Sequence, residues 1–164
     1  MNTSFSQEGY LLTAYGAIAE EACDYNGHLN EGHALVMLSK ATDSVLDAIR
    51  LDATGREQLN FSAFTVQNTL YYLAEGQLGQ EVEAWSRLLT FDEKRLRLFH
   101  QLRDIITGEV LVELETLLLG VDMNSRRAAC WPAPVSAALE QLKVRQQRLP
   151  QSENVGRAIC KPVI

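Results

Sequence analysis

Residues 24–50 read DYNGHLNEGHALVMLSKATDSVLDAIR. From Glu31 to Arg50 the apolar residues Ala34, Met37, Leu38, Ala41, Val45, Leu46 and Ile49 recur at three- and four-residue spacing, which marks one face of an α-helix. Ala, Leu and Met fill its interior and no proline interrupts it. Asn30 is placed to cap the first turn through its side-chain oxygen. The apolar stripe is broad, which predicts a buried helix rather than one lying on a surface. The preceding stretch, Cys23 to Gly32, is polar and glycine-containing and has the chemistry of a turn.

On the N-terminal side, residues 1–12 are expected to be partly frayed, and Thr13 to Glu21 alternates weakly enough to predict a first strand. On the C-terminal side the period falls to two after Asp52-Ala53-Thr54-Gly55. Phe64, Val66, Asn68, Leu70 and Tyr72 share one face of a strand, and Thr65, Gln67, Thr69 and Tyr71 the other. Turns at 75–80, 92–94 and 107–108 separate this strand from three more, at 81–91, about 95–103 and 109–121. The last is nearly all apolar toward its end, as a strand covered on both faces is. Trp131-Pro132-Ala133-Pro134 leads into a C-terminal helix from Val135 to Arg148, and Pro150 ends it. Residues 1–149 form one domain and 150–164 a loose C-terminal tail. Consecutive strands with short turns favour antiparallel pairing. A curved antiparallel sheet wrapped around one long central helix, with an additional C-terminal helix, satisfies every element; the fold class is α+β.

The chain has 164 residues, 46% of them hydrophobic and 22% charged, with a formal net charge of -6. That is the size of one domain with an ordinary core. The acidic balance argues against a general nucleic-acid binder. Cys23, Cys130 and Cys160 lack the CxxC spacing of a zinc site and are too few for a disulfide framework. No signal-like N-terminus and no apolar run of about 18 residues is present, so no membrane span is expected and a cytoplasmic location is.

Asp24 and His28 flank Gly27 just before the helix begins. A helix start offers unpaired amides and partial positive charge, which suit a carbonyl oxygen gaining negative charge. A nearby carboxylate can attack that carbonyl or activate water. Spacing alone equally admits simple capping by Asp24 and Asn30.

The loop resembles the Asp-x-x-Gly-His-x-Asn signature of hotdog-fold acyl-CoA thioesterases, the group that includes the hydroxybenzoyl-CoA thioesterases. The likeness extends through Ala41-Thr42-Asp43, Thr65-Val66, Tyr72-Leu73, Lys94-Arg95-Leu96, Leu98-Phe99-His100, Thr107-Gly108-Glu109 and Val121-Asp122, in order, to the betainyl-CoA thioesterase branch linked to carnitine breakdown. It spans about residues 13–145. It implies hydrolysis of a short or small polar acyl-CoA, possibly of the betainyl ester, with Asp24 as nucleophile or general base. Gly27 and His28 would shape the loop, and a backbone N–H near Asn30 or Glu31 would hold the oxyanion. Asn26 would line the substrate site. The family is dimeric or tetrameric with its site between subunits, and needs no metal or redox cofactor; CoA is part of the substrate. The branch usually carries Thr at the position of Asn30 and bulkier polar residues where this chain has Gly32, His33 and Ala34, differences that fall in the expected acyl pocket.

Other candidates keep two readings each. Asp43 is a second pocket carboxylate or a core or subunit contact. Phe64, Tyr71, Tyr72 and Trp85 form a cation-binding aromatic box or ordinary sheet packing. Lys94, Arg95, Arg97 and Arg103 hold CoA phosphates or form a solvated strand face. Glu31 complements the helix dipole or orients a water. His33 and His100 have no spacing partner for a metal, and His100, among leucines, is a satisfied core or interface histidine. A hotdog dehydratase using His28 as base, or a non-catalytic acyl-CoA binder, are the alternative functions.

Overall fold

The computed structural model describes residues 4–157. The elements are β1 (Ser4–Phe5), β2 (Leu11–Ala17), α1 (Glu31–Ala48), α2 (Ala53–Leu59), β3 (Phe61–Tyr72), β4 (Glu81–Phe91), β5 (Arg95–Asp104), β6 (Val110–Asp122), β7 (Arg127–Ala128) and α3 (Ala133–Gln146). All strand pairs are antiparallel and the sheet order is β1-β2-β4-β5-β6-β3, with β7 on β6. The sheet curls around α1 as the hotdog arrangement requires.

Local chemistry explains the elements. Asn30 caps α1 by accepting from the Gly32 amide at 2.8 Å. Leu38, Ala41 and Val45 are fully buried against the sheet, while Lys40, Asp43 and Asp47 face out. The buried helix read from the sequence is buried along its apolar face: within one chain the sheet wraps only that side of it. α2 falls in the stretch between helix and strand to which the sequence assigned no element. Asp52 caps it by accepting from Gly55 N at 2.7 Å, and Asn60, at φ 45°, ends it in the left-handed region. The first strand begins and ends earlier than its weak alternation predicted, and the frayed N-terminus contributes β1.

β3 does not pair with β4, as sequential pairing would have it. It crosses to the far edge beside β6. The connection 73–80 is too long for a tight hairpin, and its backbone bonds go to Leu111 of β6, to Ile18 and to Gly27 and Leu29 of the loop ahead of α1. β4, β5 and β6 form the expected meander.

The core has two parts. Ala34, Leu38 and Ala41 of α1 pack on Val82, Leu102, Leu111 and Leu114; Val45, Leu46 and Ile49 pack on Leu88, Leu96 and Leu118 and on Val135, Leu139 and Leu142 of α3. Between them lies His100, fully buried, with Nε2 3.1 Å from Thr42 Oγ1 and Nδ1 2.8 Å from Ser86 Oγ. The satisfied core histidine read from the sequence is what this packing contains. A Cβ at Gly120 would lie 2.7 Å from Phe61 Cζ and 2.9 Å from Ala129 O, so glycine is what lets Trp131 and Phe61 close this end of the core.

Gln146, at the end of α3, acts as a splice where β2 leaves β4. Its amide accepts from Leu88 N at 2.7 Å and donates to Gly9 O at 3.0 Å and Ser86 O at 3.2 Å. The tail after it is not loose as far as Arg157. Arg87 donates to Leu149 O at 3.0 Å, Ser152 Oγ and Asn154 Nδ2 donate to Glu113 at 3.0 and 2.7 Å, Gly156 N donates to Glu115 at 2.7 Å, and Tyr71 OH donates to Arg157 O at 2.9 Å. The chain thus crosses the outer sheet face from β4 to β3 and buries Glu113 and Phe99. Composition hid this, because the anchors are backbone groups and side chains on distant strands. Residues 158–164, including Cys160, lie outside the described residues; Cys23 and Cys130 are free thiols. Among the described residues no helix is long and apolar enough to cross a membrane.

Candidate active site

The loop ahead of α1 is a closed turn. Asp24 N donates to His28 O at 2.8 Å, Gly27 N donates to Asp24 O at 3.0 Å, and Cys23 and Leu29 form a bridge. Gly27 has φ +78°, a conformation a side chain would strain. Asp24 Oδ1 accepts from Asn26 N at 2.8 Å and His28 N at 3.3 Å. The Asn26 amide is the chief cause that holds the Asp24 carboxyl below the usual range; slight desolvation opposes it, and the His28 amide, the Asn26 side chain and the charge of His28 add to it. Asp24 is therefore ionised at neutral pH, as a nucleophile or general base must be.

Connection 73–80 fixes this loop in space. Leu29 N donates to Gly76 O at 2.7 Å, Leu78 N donates to Gly27 O at 3.3 Å, and His28 bridges Gln77. A Cβ at Gly76 would sit 3.0 Å from both Leu29 Cβ and Ile18 Cδ1, so the two segments approach as closely as they do because residue 76 has no side chain.

Between loop, connection and helix start lies a cleft of about 530 Å³, lined by Asp24, Asn26, His28, Leu29, Glu31, Ala34, Tyr72, Ala74, Glu75, Gly76 and Val112. Gly32 N is taken by the Asn30 cap and Ala34 N by Asn30 O. The amides of Glu31 and His33 have no acceptor among the described residues, so the helix start keeps unspent donors beside the cleft. Tyr72 OH donates to Glu31 O at 3.3 Å. Glu75 Oε2 stands 3.6 Å from His28 Nε2.

Of the residues singled out in the sequence, Asp24, Asn26, His28, Glu31 and Tyr72 meet in this cleft, with Gly27 and Asn30 shaping its rim. Tyr71 does not; alternation puts it on the outer sheet face, under the tail. The aromatic box is not assembled. Trp85 stacks on Tyr10 at 5.1 Å beneath the Arg103 guanidinium, and Phe64 meets Arg126, so neither reaches Tyr72. Asp43 lies on the outward face of α1, three turns from its start, and is neither a cleft carboxylate nor a core residue. Arg95 pairs with Asp92 and Arg97 with Glu115, and both line a separate surface cavity of about 320 Å³ with Phe91 and Leu117. Arg95 is level with Leu119 of β6 whereas Tyr72 is level with Val112, which separates them along the sheet by about 23 Å at ~3.3 Å per residue. Lys94 adjoins this far end too. Glu75 was not recognised in the sequence because 75–80 reads as a plain turn. The signal available was the length of that turn, which exceeds what a hairpin needs.

Comparisons with known proteins bear on this geometry. The family model described as Thioesterase-like superfamily matches residues 19–139. A betainyl-CoA thioesterase of Pseudomonas aeruginosa is 36% identical over 155 residues, 94% of this chain and 98% of that one. An L-carnitine dehydrogenase/betainyl-CoA thioesterase of Agrobacterium fabrum is 37% identical over 164 residues, 96% of this chain but 33% of the relative, so the chain corresponds to one third of that longer protein. A Staphylococcus aureus protein solved in complex with CoA superposes with a TM-score of 0.88 at 23% identity, covering 99% of this chain and 100% of that one, a likeness that shows the fold. The chain belongs to the thioesterase-like superfamily and is a thioester hydrolase with the hotdog fold.

Proposed function

We propose that the protein hydrolyses acyl-CoA thioesters, with Asp24 as the reacting carboxylate and betainyl-CoA as the substrate. The observation that carries this is the meeting, in one cleft, of an ionised carboxylate and a helix start with unspent amides. Asp24 attacks the thioester carbonyl to form an acyl-carboxylate anhydride that water then cleaves, or takes a proton from a water that attacks directly. In both modes the carbonyl oxygen becomes an oxyanion held by the Glu31 and His33 amides, and CoA leaves as its thiolate and is then protonated. Incorporation of labelled water oxygen into Asp24 during a single turnover separates the first mode from the second. The betainyl group is supported by the relatives that carry that name and by a cleft with Asp24, Glu31 and Glu75 but no Lys or Arg.

The active form is a homodimer or homotetramer with the site between subunits. β3 is an unpaired sheet edge with Phe64 and Val66 exposed. Antiparallel pairing of β3 with that of a second copy carries the copy's Lys94–Arg95 end toward the cleft, three strand spacings from β3, or about 14 Å at ~4.8 Å each. That supplies the cations the CoA phosphates need and the cleft lacks. Replacing Lys94 and Arg95 together by Ala is expected to raise KM for acyl-CoA about tenfold with little change in kcat, measured by release of CoA thiol. An unchanged KM would put the phosphates elsewhere. The reaction itself is tested with the same assay on betainyl-, acetyl- and enoyl-CoA. Thiol release is expected, and hydration of the enoyl ester without thiol release would overturn the proposal in favour of a dehydratase.

A further inference from the structure

The geometry points to Glu75, on the connection between β3 and β4, as the residue that selects a cationic acyl group; this rests on the betainyl reading above. A quaternary ammonium donates no hydrogen bond, so a protein recognises it through aromatic faces or through nearby negative charge over an apolar lining. Within one subunit the aromatic route is thin, because among the described residues that line the cleft Tyr72 is the one Phe, Tyr or Trp. Charge must then carry the discrimination, over the apolar surface of Ala34 and Val112.

Three carboxylates line the cleft, and two are committed. Asp24 has Oδ1 tied to the Asn26 and His28 amides and is assigned to the reaction. Glu31 lies in the first turn of α1, where the helix dipole offsets its charge. Glu75 lies outside any helix and, among the described residues, pairs with no Lys or Arg; its ion-pair partner is the His28 ring at 3.6 Å, and its side chain is 74% exposed. Its backbone is nevertheless held rigidly. Ala74 N donates to Leu111 O at 3.1 Å on one side of it and Leu29 N donates to Gly76 O at 2.7 Å on the other, so its backbone is tied to β6 and to the same loop that carries Asp24. A negative charge carried beside the reacting loop is what distinguishes a cationic acyl head from a neutral one of the same shape.

The test compares betainyl-CoA with 3,3-dimethylbutanoyl-CoA, in which carbon replaces the quaternary nitrogen, for the full chain and for Glu75→Gln. The unaltered protein is expected to prefer the cation by tenfold or more in kcat/KM. In Glu75→Gln that preference falls toward unity, with the loss concentrated on the cationic substrate and relieved at high salt, which weakens the preference of the unaltered protein as well. If the unaltered protein prefers the cation and Glu75→Gln keeps the full preference, Glu75 is not the selector and the betainyl reading stands. If both substrates lose equally in the variant, Glu75 only positions His28 and the inference fails. If the unaltered protein shows no preference at all, the betainyl reading and the selector fall together.

Discussion

Asp24→Asn is expected to lower kcat by about 10²- to 10⁴-fold while leaving the fold intact. Asn keeps an Oδ1 that can accept from the same two amides, Asn26 N and His28 N, so the closed turn persists. What is removed is the negative charge, and with it the ability to attack a carbonyl or to take a proton from water. Thiol release from betainyl-CoA gives the rate, and thermal denaturation shows whether the variant is folded. Near-normal turnover in a folded variant would take the reaction away from Asp24, and no other carboxylate in the cleft is held in its ionised form by backbone amides. The depressed pKa also sets the acid side of the rate profile. Activity that needs the Asp24 carboxylate persists well below neutral pH and is lost only as pH falls through a value lower than an ordinary carboxylate's.

Acid is expected to weaken the fold through His100 before it reaches the carboxylates held below their usual range. Burial drives this histidine's pKa down to about 3 from an ordinary 6.5, so the folded protein holds it neutral. The stability it contributes is complete above pH 6.5 and is lost as pH falls from there toward about 3, because the unfolded chain binds a proton that the folded chain refuses. One such proton costs about 1.4 kcal/mol of folding stability per pH unit in that window. Asp24, Asp92, Asp104 and Asp122 also favour the fold, but their depressed values confine their loss to below about pH 4. Urea denaturation at pH 7 and pH 4.5 therefore reads the histidine against Asp43 alone, whose carboxyl is pushed up by burial and which acts in the opposite direction. His100→Gln, which keeps a polar group between Thr42 and Ser86 without a titrating ring, is expected to flatten the difference. Equal stability of the unaltered protein at both pH values would show that the ring is protonated inside the fold.

The parts of this molecule that were legible in one dimension are those whose cause is local. The helix was visible from Ala34, Leu38, Ala41 and Val45 because its period depends only on residues three and four apart, and Asn30 because a cap acts on an amide two residues away. Strands β3 to β6 showed through two-residue alternation. Asp24, Gly27 and His28 stood out because one closed turn holds them together, and the family resemblance attached a chemistry to that turn.

The remainder was decided by contacts between residues far apart in the chain. Which strand β3 pairs with is not encoded in β3. It goes with a connection whose bonds are shared between β6, Ile18 and the active loop, and that same path brings Glu75 to His28. The two faces of a strand are equivalent in an alternating sequence, so only the folded sheet could send Tyr72 into the cleft and Tyr71 beneath the tail, and split the basic residues, with Lys94, Arg95 and Arg97 toward the opposite end and Arg103 on Trp85. Sequence alone determined the helix, the strands and the reacting loop, since neighbouring residues suffice to specify them. Tertiary structure decided which side chains share the cleft, because that depends on strand order and on where distant backbone groups find their hydrogen bonds.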